Sequence, residues 1–277
     1  MSAGRMPSMR VTLALAAALA STAGLGAALA QGSAPMTLDV VARVSGRFAA
    51  PAGTADPGFD AEALRRFAAW HRVKQGREVK LTYRYVETVP EVLTAVQGGA
   101  EVGLGGVTAT PERDRVVDFS AALLPVRSVL VAPAGVLDAA RWRQQLSGMR
   151  LGAPQGSTNA REVERVAAQV AGVRVDNSLA TNEDVFAALA ASPRRLDAAI
   201  VDLPQYWTLG KARGVVVVDN VGPPQSIAFV LPQGSPLKKT LDAFLDEFTH
   251  SSEYFQLVRK YFGNDAEQMV RISRGGS

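Results

Sequence analysis

Along residues 31–277, short apolar runs of strand character alternate with longer segments whose apolar residues recur at helical spacing. That alternation marks sheets covered by helices and predicts an α/β architecture. The strand candidates are 38–42, 79–83, 102–104, 129–132, 150–153, 198–201, 215–218 and 227–231. Among the helical stripes, Val89, Val92, Leu93 and Val96 are preceded by a capping box at Thr88 and Glu91 and followed by Gly98 and Gly99. Leu237, Leu241, Phe244, Leu245 and Phe248 form a second stripe. Tyr254, Leu257, Val258, Tyr261 and Phe262 form a third, whose aromatic content is most simply core packing.

The first thirty residues stand apart. Arg5 and Arg10 precede an apolar run, small residues follow, and Ala28 and Ala30 fit the positions before a signal-peptidase cut, so residues 1–30 are predicted to be a signal peptide cleaved after Ala30. Ser21, Thr22 and Gly24 interrupt the run before it reaches the roughly 20 apolar residues of a membrane span. The chain has no cysteine, so an exported protein of this length must be held by its core rather than by disulfides. Losing Arg5 and Arg10 takes the formal charge from +4 to +2. With no Lys/Arg cluster interleaved with aromatics, no nucleic-acid partner is expected.

Two segments read as joints: 121–128, and 220–226, where Gly222-Pro223-Pro224 stiffens and redirects the chain. If both cross between the same two bodies, the middle of the chain forms one lobe and the outer segments form the other, with a cleft facing a two-strand hinge. The expected division is 31–123 with 227–277 as lobe 1 and 124–226 as lobe 2.

Residues 103–120, "GLGGVTATPERDRVVDFS", carry the most chemistry. Gly105 and Gly106 permit close approach of a ligand to the backbone, and Thr108 offers a hydroxyl. Thr110-Pro111 reads as an N-cap and first helical residue, opening a short turn that carries Arg113. A guanidinium there suits two-pronged capture of a carboxylate; the competing interpretation is a surface turn with a solvated arginine. In "MRLGAPQGSTNAREVE", 149–164, Ser157 and Thr158 stand where a helix begins, so free amides and the positive dipole end would face an anion. Ser157 or Asn159 would serve equally as a plain cap. In "RRLDAAIVDLPQYW", 194–207, Asp202 precedes a proline-led helix and on its own reads as that helix's N-cap.

The motif at 103–120 resembles that of the family-3 extracellular solute-binding proteins, in which an apolar strand leads through Gly-x-Thr-x-Thr-x-Glu-Arg to Asp-Phe-Ser. The likeness extends from "GFDAEALRRFA" at 58–68 to the closing helices "SPLKKTLDAFLDEF" and "YFQLVRKYFG", and leaves 264–277 outside as a helical extension or loose tail. It implies a type II periplasmic-binding-protein fold, two α/β lobes joined by a two-strand hinge. By the same resemblance, Arg113 holds the α-carboxylate of a bound amino acid with help from Thr108 and the backbone at Gly106. Ser157 and Thr158 contribute from the other lobe, and Asp202 receives the α-ammonium. Asp118 and Phe119 are expected to lock the strand beside the hinge.

The resemblance is least informative about the ligand's side chain. Many relatives sandwich the ligand between aromatics; Thr88 stands at one of those positions, and Phe48 is the candidate for the missing ring. Arg43 would read an acidic side chain, unless it is solvated or internally paired, so the expected ligand leans toward an acidic or polar amino acid. The implied role is a monomeric periplasmic component, without cofactor, that delivers its ligand to an inner-membrane ABC permease. Two rivals are a cyclohexadienyl-dehydratase-like enzyme, disfavoured because Ala160 replaces that family's glutamate, and a ligand sensor for a chemoreceptor. A further catalytic domain is not expected, since the chain ends at Ser277.

Overall fold

The computed structural model describes residues 34–51 and 53–274 together with Met1; the expected signal peptide and its cleavage point lie outside the described residues. In chain order the first elements are β1 (Met36–Arg43), α1 (Phe59–Gln75), β2 (Val79–Val86), α2 (Val89–Gln97), β3 (Val102–Leu104) and β4 (Asp118–Phe119). The middle of the chain gives β5 (Leu124–Pro133), α3 (Trp142–Gln145), β6 (Arg150–Gly152), α4 (Thr158–Gln169), β7 (Arg174–Asp176), α5 (Asn182–Ala190), β8 (Ala198–Asp202), α6 (Leu203–Gln205) and β9 (Val215–Ile227). The last elements are β10 (Val230–Leu231), α7 (Leu237–Phe248), α8 (Ser252–Phe262) and α9 (Ala266–Ser273).

These strands form two five-stranded mixed sheets, one per lobe. The first runs β2-β1-β3-β10-β4 and the second β7-β6-β8-β5-β9. In each sheet three strands are parallel, β2, β1 and β3 in one and β7, β6 and β8 in the other. The chain crosses from the first sheet to the second at the start of β5 and returns at the end of β9, and the two crossings pair with each other at Leu124 and Ile227. The carboxyl ends of β1, β3, β6 and β8, with the loops that leave them, carry the candidate site residues other than Thr88, which follows β2; such strand ends are where ligands of open α/β sheets bind.

The strand expected at 215–218 is longer than its local pattern: β9 continues through Gly222, Pro223 and Pro224 to Ile227, so the second joint is itself one strand of the expected two-strand hinge, paired with β5. The prolines are tolerated because β9 is the edge of its sheet, where half the amides have no ladder partner to lose. The segment expected as one strand at 227–231 is divided between the last residue of β9 and the two-residue β10.

Burial follows the predicted stripes. Val92 and Val96 of α2, and the aromatic faces of α7 and α8, are buried, and the capping box of Thr88 and Glu91 is formed. One continuous apolar cluster takes in the interior of lobe 1, one face of the lobe 2 sheet and α9, through Ala266, Met269 and Val270. Two smaller clusters cover the opposite faces of the two sheets. Residues 266–273 are thus the helical member of the two alternatives for the tail, and α9 packs on α8, β5 and α6. At its start Asp265 accepts a hydrogen bond from Trp207 Nε1 at 3.0 Å and pairs with Lys211, both from the lobe 2 segment that follows α6. Among the described residues no helix is long and apolar enough to cross a membrane.

Candidate functional site

The lobe 1 half is built on two glycines immediately after β3. Gly105 has φ +116° and Gly106 has φ +70°, and a Cβ at Gly105 would lie 2.4 Å from the Arg43 carbonyl oxygen. Only glycine fits there, which lets β1 and the turn after β3 touch. Asp60, in the first turn of α1, accepts the amides of both glycines on Oδ2, at 3.0 Å from Gly105 and 2.7 Å from Gly106. Arg43 Nε donates to the Gly105 carbonyl at 2.9 Å, and Nη2 donates to Ser45 Oγ at 2.6 Å. The Gly105 peptide is therefore gripped at both its N–H and its C=O. Because Asp60 takes the one Gly106 amide hydrogen, a ligand carboxylate finds no free donor on that nitrogen.

Asp60 is 1% exposed, and among the described residues its Oδ1 has no hydrogen-bond partner. Burial pushes its carboxyl up to about 6, against the two glycine amides and the Arg43 charge, which favour the anion.

Past the glycines, Thr108 is buried and bridges to Ile227 at the returning crossing. Thr110 and Pro111 open the expected short turn: Thr110 Oγ1 accepts from the Arg113 amide at 3.4 Å, and Arg113–Arg115 form one 3₁₀ turn. Arg113 folds back and donates from Nη1 to the Thr108 carbonyl at 2.7 Å. It is half-buried rather than solvated, and burial, together with Arg161 and Arg43, moves its pKa below the usual value. The Thr108 contribution fixed by this geometry is thus a carbonyl that orients Arg113.

In lobe 2, Ser157 is the N-cap of α4: its hydroxyl accepts from the Ala160 amide at 3.1 Å and donates to the Pro154 carbonyl at 2.6 Å. Thr158 begins the helix and is half-buried. Asn159 points inward and is 3% exposed; its Nδ2 donates to Asp202 Oδ1 at 3.1 Å. Asp202 closes β8 and makes no side-chain cap to the helix that follows, so the capping alternative falls away. Burial pushes its carboxyl above the ordinary carboxylate range, while Asn159, Arg113 and Arg43 pull it back. The field of both lobe 1 arginines therefore reaches the lobe 2 carboxylate. Between the lobes, exposed Arg161 of α4 pairs with exposed Glu112 of lobe 1 at 3.1 Å.

Two expected contacts are not assembled. Phe48 lies in the core, with ring centroids 6.5 Å from Phe59 and 5.6 Å from Phe262, because the carbonyls of Arg47 and Phe48 cap the first amides of α1 and draw the ring inward. Its ring is a wall behind Gly106 rather than a free face for a ligand. Thr88 is exposed, and its hydroxyl is engaged by Glu91 as both donor, at 2.9 Å, and acceptor, at 3.4 Å. Asp118 accepts the Gly234 amide at 2.8 Å and fixes β4 beside β10. Three residues that build the site, Asp60, Asn159 and Ser128, were not singled out for it by sequence. Asp60 sits in "GFD", which reads as a helix start, and its partners are 45 and 46 residues away.

Several solved structures are similar to the chain. The ligand-binding core of GluR0 from Nostoc punctiforme, in complex with L-glutamate, superposes with a TM-score of 0.64 at 22% identity, over 82% of this chain and 100% of that one. The ancestral amino-acid-binding protein AncCDT-1, a precursor of cyclohexadienyl dehydratase, gives 0.63 at 22% over 82% and 95%. The arginine-, lysine-, histidine-binding protein ArtJ from Geobacillus stearothermophilus gives 0.61 at 20% over 82% and 96%. At these identities the likeness speaks to the fold, a type II periplasmic-binding-protein architecture of two lobes. No curated protein matches the sequence. The model of the bacterial extracellular solute-binding proteins, family 3, matches residues 51–264, a span that holds the glycine turn, Arg113, the α4 cap and Asp202, and to that family the chain belongs.

Proposed function

We propose that this protein binds a single amino acid between its lobes and delivers it, as an exported periplasmic component, to an inner-membrane ABC permease. The observation that carries the proposal is the opposition of Arg113 on lobe 1 and Asp202 on lobe 2, each desolvated and each within the other's field. A zwitterion completes that pair with its carboxylate toward Arg113 and its ammonium toward Asp202 and the Gly106 carbonyl; Thr158 and the start of α4 add donors for the carboxylate. Contacts that exist only across a closed cleft give the ligand a differential affinity for the closed state, which drives closure. Residues 31–123 with 227–277, and 124–226, would move as the two bodies. Hydrogen bonds to charged groups contribute about 1.5–3 kcal/mol each. A micromolar complex needs about 8 kcal/mol, so these groups supply much of the affinity.

Amino acids bound by the similar structures support the class of ligand. The second arginine, Arg43, shares its charge with the buried Asp60 and is bonded within the chain, so it favours a polar or acidic side chain as a hydrogen-bond donor rather than as surplus charge. Its bonds to Gly105 and Ser45 leave Nη1 for that task. Binding without catalysis is the simpler account: Ala160 supplies no acid, and turnover of prephenate by the purified protein would refute it. The decisive experiment is calorimetry with all twenty amino acids on the native protein and on Arg113→Ala and Asp202→Ala. Native binding of at least one amino acid, weakened about tenfold or more in each variant, is expected. Undiminished binding in both variants would end the proposal.

A further inference from the structure

Asp202 does not stand alone on its strand. Ser128 of β5 is its direct partner across the β5–β8 ladder, and Asn159 of α4 bridges the two side chains. The Ser128 hydroxyl and Asn159 Oδ1 are 2.8 Å apart, and Asn159 Nδ2 and Asp202 Oδ1 are 3.1 Å apart. Ser128 is fully buried and Asn159 is 3% exposed, so neither is free to exchange its protein partner for bulk water.

The direction of this chain follows from the chemistry of its members. An ionised carboxylate only accepts, so the amide must turn its NH₂ toward Asp202. Its carbonyl then faces Ser128, whose hydroxyl must donate. The amide has no second orientation that keeps both bonds. Oδ1 of Asp202 is thereby engaged by the amide, which leaves Oδ2 for a cation arriving in the cleft. Asn159 belongs to the first turn of α4, so the same bridge ties the helix terminus that faces an anion to the carboxylate that faces a cation.

We propose that Ser128 and Asn159 are positioning residues which hold the Asp202 carboxylate ionised and oriented for the ligand's ammonium group. The proposal rests on the assignment of Asp202 to that ammonium, but the titration of Asp202 is a property of the empty protein and can be read without any ligand. Burial acts against the charged form, and the facing groups that act for it are Asn159 from α4, Arg113 and Arg43 from lobe 1, and Ser128 from β5. Loss of the amide removes the foremost of these.

The test follows the Asp202 side-chain carboxyl by carbon-detected NMR across pH in the ligand-free native protein and in Asn159→Leu, Ser128→Ala and Ser128→Thr. Asn159→Leu is expected to raise the midpoint by about one pH unit or more, and Ser128→Ala by less. Ser128→Thr keeps the hydroxyl and is expected to titrate as the native protein does. Should Asn159→Leu fail to fold, Ser128→Ala with its threonine rescue carries the test. A second reading compares L-glutamate with 2-hydroxyglutarate, which lacks the ammonium: the ratio of their affinities is expected to fall about tenfold in Asn159→Leu. Titration curves in both Asn159→Leu and Ser128→Ala that superpose on the native one would overturn the proposal, whatever the ligand. A shifted midpoint with an unchanged affinity ratio would instead overturn the assignment of Asp202 to the ammonium.

Discussion

In lobe 1 the candidate site is two arginines held by backbone, Arg43 on the Gly105 carbonyl and Arg113 on the Thr108 carbonyl, around a glycine turn whose amides Asp60 accepts. In lobe 2 it is side chains braced by side chains, Asp202 by Asn159 and Asn159 by Ser128. The first construction needs conformations that only glycine adopts and a buried acid to fill the space behind them. The second asks little of the backbone and much of the identity of three side chains. One half should therefore be vulnerable to sterics and strain, the other to loss of a single polar atom.

The largest expected effect breaks or upholds that contrast directly. Gly105→Ala forces a methyl group to 2.4 Å from the Arg43 carbonyl oxygen at φ +116° and should cost about 3 kcal/mol or more in denaturant unfolding. Gly156, in the lobe 2 loop before α4, has φ +68° but open space around its Cβ position, and Gly156→Ala should cost only about 1 kcal/mol. Equal costs would mean that the two loops are built alike.

Asp60 sharpens the contrast through pH. Its folded-state value of about 6 lies above the ordinary 3.8, a difference worth about 3 kcal/mol, so the proton favours the folded protein. Stability from this group is fully present below pH 3.8 and is lost as pH rises through about 6. Relative to Asp60→Asn, the native protein should gain about 2 kcal/mol between pH 7 and pH 4, with the Asp202 contribution common to both. Parallel stability curves would show that Asp60 titrates normally and that the glycine turn is not held by a strained anion.

The smallest effect concerns the boundary of the lobe 1 half. Thr88→Ala removes an exposed cap and should cost about 1 kcal/mol of stability while leaving ligand affinity unchanged. A weakened affinity would return Thr88 to the ligand pocket.

How much of this was legible in sequence depended on how far each residue reaches. The strand and helix periods, the α2 capping box and the aromatic stripes of α7 and α8 are local patterns, and they appear where their spacing puts them. The 103–120 motif is equally local, with Thr110 and Arg113 three residues apart in one turn. Asp60 is different: nothing near it in sequence announces that its carboxylate closes a turn 45 residues later. Asn159 looked like a cap because caps are the commonest use of asparagine at a helix start, and its true partner is 43 residues away on β8. Phe48 sits beside a functional turn and so looked available, but Phe59 and Phe262 complete a buried cluster around it. The prolines at 223 and 224 mark a joint, but that they lie inside a strand is not legible, because sequence does not reveal which strand will be an edge.

α9 packs on α8 of lobe 1 and on β5 and α6 of lobe 2, and Asp265 beside it bonds Trp207 and Lys211, so the last helix ties the two bodies together apart from the paired strands. Any rotation of one lobe against the other would have to strain that tie as well as the two crossing strands, so the chain's last helix is a second restraint on their relative angle.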